Sequence, residues 1–188
     1  AAGHAVGGKV FRAENAHRRP CPAADPDHAG RLAAYDHAQR ERLRLLREGR
    51  ADPTWLDALE DTMARHGVAV AAARRERVHA LDGATVGSGV FPQATLRLAG
   101  SVETWLDEIP ALEAEDRLKA RLAQNRRLDG ESGMTAEGPH RSDLEVTHLA
   151  RGQAARLCST GEQKALLLSI QLANARLVKG HSGAAPLL

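Results

Sequence analysis

Apolar residues recur at steps of three and four through the first ordered part of the chain, and that spacing predicts two long helices. Asp25-Pro26 reads as an N-cap followed by proline at the first helical position, and Gly49 as the stop of a helix ending near Glu48. Leu32, Tyr35, Leu43 and Leu46 form its loose apolar stripe, set against Arg31, Arg40, Glu41, Arg42, Arg44 and Arg47. Asp52-Pro53 repeats the start signal, and Trp55, Leu59, Met63, Val70 and Leu81 follow at heptad-like steps. Two such helices joined by a short loop predict an antiparallel hairpin.

Gly83 to Phe91-Pro92 reads as a glycine-rich break. Leu96 and Leu98 alternate within Ala94–Ala99, the period of a short strand. Ser101 opens a short helix ending before Pro110, and a further helix is predicted over Ala111–Leu128 with Leu112, Leu118 and Leu122 apolar. After a loop at Gly130–Gly138, the alternation in Leu144–Leu149 predicts a second strand, and Gly152 a turn. Gly183–Leu188 reads as a loop entering a buried strand, and residues 1–24 show no periodicity. The fold class is therefore α+β and mostly helical: residues 1–24 unassigned, a hairpin lobe over 25–92 and a mixed region over 93–188.

The pattern changes at Leu157–Val178, which is apolar nearly all round and so expected in a core. Ser159 followed by Glu162 is a capping box, in which hydroxyl and carboxylate each satisfy a free amide of the helix start. Gly161 in the first turn leaves the backbone uncovered, and a helix N-terminus with open amides suits a phosphate. Taken alone, the same residues also describe a well-capped buried helix.

Composition narrows the choices. Lys+Arg 26 against Asp+Glu 24 gives no global basic field, and 3% aromatics argue against a base-stacking platform. The arginines Arg40, Arg42, Arg44, Arg47, Arg50, Arg74, Arg75 and Arg77 are interleaved with acids, so a solvated face fits them better than a DNA contact. Cys21 and Cys158 suggest no disulfide framework, the nine histidines make no zinc spacing, and no Ser-His-Asp set can be assembled. No apolar run reaches the ~18 residues of a membrane span, and no signal peptide is recognisable, so a cytoplasmic protein without membrane contact is expected.

The string Ser159-Thr160-Gly161-Glu162-Gln163-Lys164 running into Leu166-Leu167-Leu168 resembles the signature motif of ABC-type ATPases of the SMC group, and is most similar to that of the RecF family. Gly138-Pro139-His140-Arg141-Ser142-Asp143-Leu144 resembles a second element of that family, at a suitable distance upstream. The resemblance covers about 25–188. It implies that 93–188 is part of an ABC-type head, and that ATP is met in trans, sandwiched between two heads of a homodimer. Ser159 would then bond the γ-phosphate and Gly161 present its amide, with Thr160 and Glu162 in the same turn. Gln163 would lie towards the ribose and phosphates, while Lys164 adds charge or is simply solvated. His140 and Arg141 would face the nucleotide or the dimer interface; Ser142 stands where the family often carries an acid.

The implied biology is repair at DNA gaps and single-stranded/double-stranded junctions, in recombinational repair and the SOS response, with mediators such as RecR and RecO. No G-x-x-x-x-G-K-[ST] occurs, and Gly7-Gly8-Lys9 is too short to stand for one. With no Walker B acids either, the chain reads as an incomplete family member that does not hydrolyse ATP alone, Mg²⁺ belonging to the intact protein. Two other readings stay open: a non-catalytic helical interaction module, and a truncated product without function.

Overall fold

A computed structural model describes residues 27–49, 52–85 and 91–182; the expectations for 1–24, Asp25-Pro26, Arg50, Cys21 and Gly183–Leu188 lie outside them. Six helices and three strands follow in order: α1 His28–Glu48, α2 Pro53–Thr85, β1 Ala94–Ala99, α3 Ser101–Glu108, α4 Ala111–Gln124, α5 Arg126–Ser132, β2 Asp143–His148, β3 Gln153–Ala154 and α6 Thr160–Ser182. Among the described residues the chain is thus mostly helical, with one small antiparallel sheet. No described helix is long and apolar enough to cross a membrane.

Two compact units emerge, each discontinuous in sequence: described residues of 27–74 with 100–142, and of 75–99 with 143–182. The sequence pattern draws one boundary at 92/93. The contacts instead divide α2 after Arg74, because a helix of 33 residues, about 50 Å long, contributes to two cores.

In the first unit α1 and the N-terminal part of α2 run antiparallel. Tyr35 lies against Gly67 and Arg42 against Glu60, an equal step in opposite directions along the two helices. Close approach is achieved with small residues, Ala38, Ala64 and Ala71 joining Tyr35, Met63 and Val68 in the core. A Cβ at Gly67 would stand 2.9 Å from the Tyr35 ring, so this glycine is a packing requirement. Gly49 ends α1 with φ 67, and the Asp52 carboxylate accepts the Thr54 amide at 2.9 Å to start α2.

Three details depart from the periodicity. Trp55 and Leu112 are exposed, their places in the core taken by Leu56 and Ala114. The helix expected over Ala111–Leu128 is broken at Asn125, and α4 and α5 replace it. Arg42, on the expected polar face, is fully buried. Its guanidinium bonds Glu60 (2.8 Å), Asp129 on α5 (2.7 Å) and the Leu122 carbonyl at the helix break (2.6 Å). The break and the buried arginine therefore belong together, since one side chain joins α1, α2, α4 and α5.

In the second unit β1 pairs antiparallel with β2, from Ala94↔His148 to Ala99↔Asp143, and β2 pairs with β3. The whole of 100–142 is inserted between paired neighbours. Among the described residues β1 is an edge strand, and its outer side is covered: the Asp82 carboxylate accepts the Leu96 amide at 2.7 Å, and the Thr85 hydroxyl donates to the Ala94 carbonyl at 2.8 Å. Ala94, Leu96, Val146, Ala155 and Leu166 form the core, flanked by Val78, Leu81, Leu144 and Ile170. Helix α6 is less enclosed than its composition implies. Leu166 and Ala173 are buried, whereas Leu168 is exposed.

Candidate functional site

The start of α6 is set by the sheet. After β3 a tight turn over Ala155–Leu157 returns the chain, with the Cys158 amide donating to the Ala155 carbonyl (3.1 Å) and the Gln153 side chain to the Leu157 carbonyl (3.2 Å). Cys158 is buried, its thiol 3.7 Å from the Ala154 carbonyl. Ser159, Thr160 and Gly161 then emerge exposed.

The capping box forms in full. The Ser159 amide donates to Glu162 Oε2 (2.9 Å), the Ser159 hydroxyl donates to the same oxygen (2.8 Å), and the Glu162 amide reaches Ser159 Oγ at 3.4 Å. Arg151 holds the other carboxylate oxygen at 2.7 Å. The amides of Thr160 and Gly161 have no partner among the described residues, so the positive end of the helix remains open. Gln163 turns its side chain back, donating to the Cys158 carbonyl at 2.9 Å, and Lys164 is exposed.

The Ser159 amide, then the Ser159 hydroxyl, hold the Glu162 carboxyl below its ordinary value of 4.5. A lowered folded value means that the cap is complete above the unfolded value and is lost as pH falls through the folded one. Hydrogen exchange of the first-turn amides of α6 should therefore quicken as pH drops below about 4, after correction for intrinsic rates. Glu162→Gln should remove that pH dependence; a wild-type profile flat to pH 3 would show that the carboxylate does not hold the turn.

His140 and Arg141 belong to the other compact unit. Pro139–Arg141 is a single tight turn entered through Gly138. His140 is occupied on both ring nitrogens: Nε2 meets the Thr135 carbonyl at 3.0 Å and so carries the proton, leaving Nδ1 to accept the Tyr35 hydroxyl at 2.7 Å. Burial pushes the imidazole pKa down, consistent with that neutral tautomer, and burial pushes the Tyr35 phenol up. Arg141 is exposed. Ser142 is buried and donates to Glu103 at 2.6 Å.

Among the described residues no group of three His, Cys, Asp or Glu side chains is placed to hold a metal ion. Sequence reasoning found the local motif but missed Arg151, Tyr35, Arg74 and Glu103. The partners of Tyr35, Arg74 and Glu103 lie far along the chain, and Arg151 meets Glu162 only because β3 and the turn after it bring them together, so no short-range pattern reveals these pairs.

No family model matches the chain. Curated relatives do. It is 46% identical over 169 residues to the DNA replication and repair protein RecF of Mesorhizobium japonicum, a match covering 88% of this chain and 45% of the relative. Against the RecF of Rhizobium meliloti it is 47% identical over 167 residues, covering 87% and 44%. The chain belongs to the RecF family. It spans less than half the length of these RecF relatives. Two solved RecF structures share its fold at 20% identity: RecF-ATPrS with a TM-score of 0.75 and RecF-ATP with 0.76, both described as the recombination mediator protein in the RecFOR pathway. They overlap 87% and 89% of this chain and 45% and 46% of their own.

Proposed function

We propose that this chain supplies the signature half-site of a RecF-type DNA replication and repair ATPase. Ser159, Thr160, Gly161, Glu162 and Gln163 form the surface that meets ATP carried by a second head. The observation that supports this most is Gly161 itself. Glycine is among the poorest helix formers, and a Cβ at Gly161, in the first turn of α6, would meet nothing within 4 Å. Packing does not ask for a glycine there, whereas a phosphate approaching the open Thr160 and Gly161 amides does.

In this reading Ser159 turns its hydroxyl from Glu162 towards the γ-phosphate, while Glu162 keeps the Ser159 amide and Arg151 and so holds the turn. Bound ATP and its Mg²⁺ supply the charge that joins two heads. The protein as a whole then uses ATP-controlled dimerisation to act on DNA gaps and single-stranded/double-stranded junctions, with the mediators RecR and RecO, in recombinational repair and the SOS response in the cytoplasm. Both solved neighbours carry a nucleotide in their descriptions, which supports ATP as the ligand class.

The test is association of this chain with intact RecF from Mesorhizobium japonicum, with and without ATP. Association should strengthen with ATP, and Ser159→Arg should remove at least about tenfold of that gain by filling the phosphate site. Circular dichroism serves as the control for folding. Association indifferent to ATP, or to Ser159→Arg, would sink the reading.

A further inference from the structure

The turn at Gly138–Ser142 is held far more firmly than five residues between secondary elements require. Gly138 sits at φ 133, ψ 172, a region open essentially to glycine alone, with the Tyr35 hydroxyl where its Cβ would be. Helix α1 holds His140 through Tyr35, α2 holds the Pro139 carbonyl through Arg74 at 2.8 Å, and α3 holds Ser142 through Glu103. Glu137, just before the turn, accepts the Ser101 hydroxyl at 2.7 Å. Glu103 Oε1 is buried without a hydrogen-bond partner among the described residues, a cost left standing in the same clamp.

What this clamp presents is Arg141. It is exposed and, like Arg156 and Arg176 but unlike Arg44, Arg65, Arg97, Arg127 and Arg151, faces no carboxylate among the described residues; of the three, Arg141 alone stands on this clamped turn. A glycine-dependent turn fixed from three helices beside an unpaired guanidinium fits a contact made outside this chain, and its planar fork matches a phosphate. The geometry points to Arg141 as a phosphate contact, with Tyr35 acting through His140 as its positioning residue. His140 itself touches no ligand, since both its nitrogens are used. This rests on the reading of the chain as a RecF-type half-site, and the phosphate belongs either to the nucleotide or to a DNA backbone.

The full chain is tested in two arms: ATP-dependent association with intact RecF, and binding of a gapped DNA duplex without ATP at fixed salt. Arg141→Gln should weaken one arm by about tenfold, with Arg141→Lys recovering part. Tyr35→Phe should weaken the same arm by roughly threefold, and the double variant should be no weaker than Arg141→Gln alone. That non-additivity is what a merely structural tyrosine would not give. Loss confined to the ATP arm assigns the nucleotide; loss confined to the DNA arm assigns the backbone. Arg141→Gln within about twofold of wild type in both arms overturns the assignment, as does an additive double variant or a wild-type chain that binds in neither arm. If Ser159→Arg abolishes the ATP arm while Arg141→Gln changes nothing, the half-site stands and this contact falls. If wild type lacks the ATP arm but binds DNA through Arg141, the reverse holds.

Discussion

Arg42→Leu should destabilise the chain by about 3–5 kcal/mol, read as a lower denaturant midpoint at neutral pH. Arg42 is fully buried and so are both of its carboxylates, Glu60 at 1% exposure and Asp129 at 0%. Leucine fills much of the volume, so the expected loss comes from the charges left behind and not from a cavity. The two carboxylates do not suffer equally. Glu60 keeps Arg126, which reaches it at 2.5 Å and also pairs with Asp57. Among the described residues Asp129 keeps only the Ala136 amide at 2.9 Å. Asp129→Asn in the Arg42→Leu background should therefore recover part of the loss, because it discharges the abandoned group while leaving an oxygen for Ala136. A single variant within about 1 kcal/mol of wild type would mean that the network is not what joins α1, α2 and α5.

That network also marks where the sequence stops being informative. Local signals read well: the glycine that ends α1, the Asp52-Pro53 start of α2, the strand at Ala94–Ala99 and the capping box at Ser159 all involve residues within five positions of one another. Their physics is local, so spacing alone carries it. Arg42 offers no such clue. It lies among other arginines and acids, and only the approach of Glu60 and Asp129 from other helices makes its burial affordable.

The helix break at Asn125 escaped for a related reason. Most residues from Ala111 to Leu128 are good helix formers, and a single Asn125 is too weak a local signal to stop them by itself. At the break the Leu122 carbonyl receives Arg42 at 2.6 Å, so the interruption makes sense only with α1 present. At the site itself, the half that lies in one helix turn was legible, whereas the Tyr35–His140 bond joins residues 105 apart. The motif around His140 pointed to a ligand, and the geometry adds what the motif could not show, that both ring nitrogens are hydrogen-bonded to Tyr35 and Thr135.

Gly138→Ala should cost about 1–3 kcal/mol from backbone strain alone, with a further loss from collision. At φ 133 any Cβ is strained, and this one would run into the Tyr35 hydroxyl and lie 3.1 Å from His140 Nδ1. The tyrosine cannot yield without giving up its bond to His140 (2.7 Å), so the two costs are coupled. Gly30→Ala is the contrasting control. It lies inside α1 with nothing within 4 Å of its Cβ, and alanine there should stabilise by about 0.4–1 kcal/mol. The mechanism is separated from general damage by a second substitution. Tyr35→Phe removes the oxygen that the new Cβ meets, so it should be less harmful in the Gly138→Ala background than in wild type. Chemical denaturation of the four chains measures that coupling. If the two losses simply add, the hydroxyl is not what fills the space beside Gly138, and the turn draws its rigidity from Arg74 and Glu103 instead.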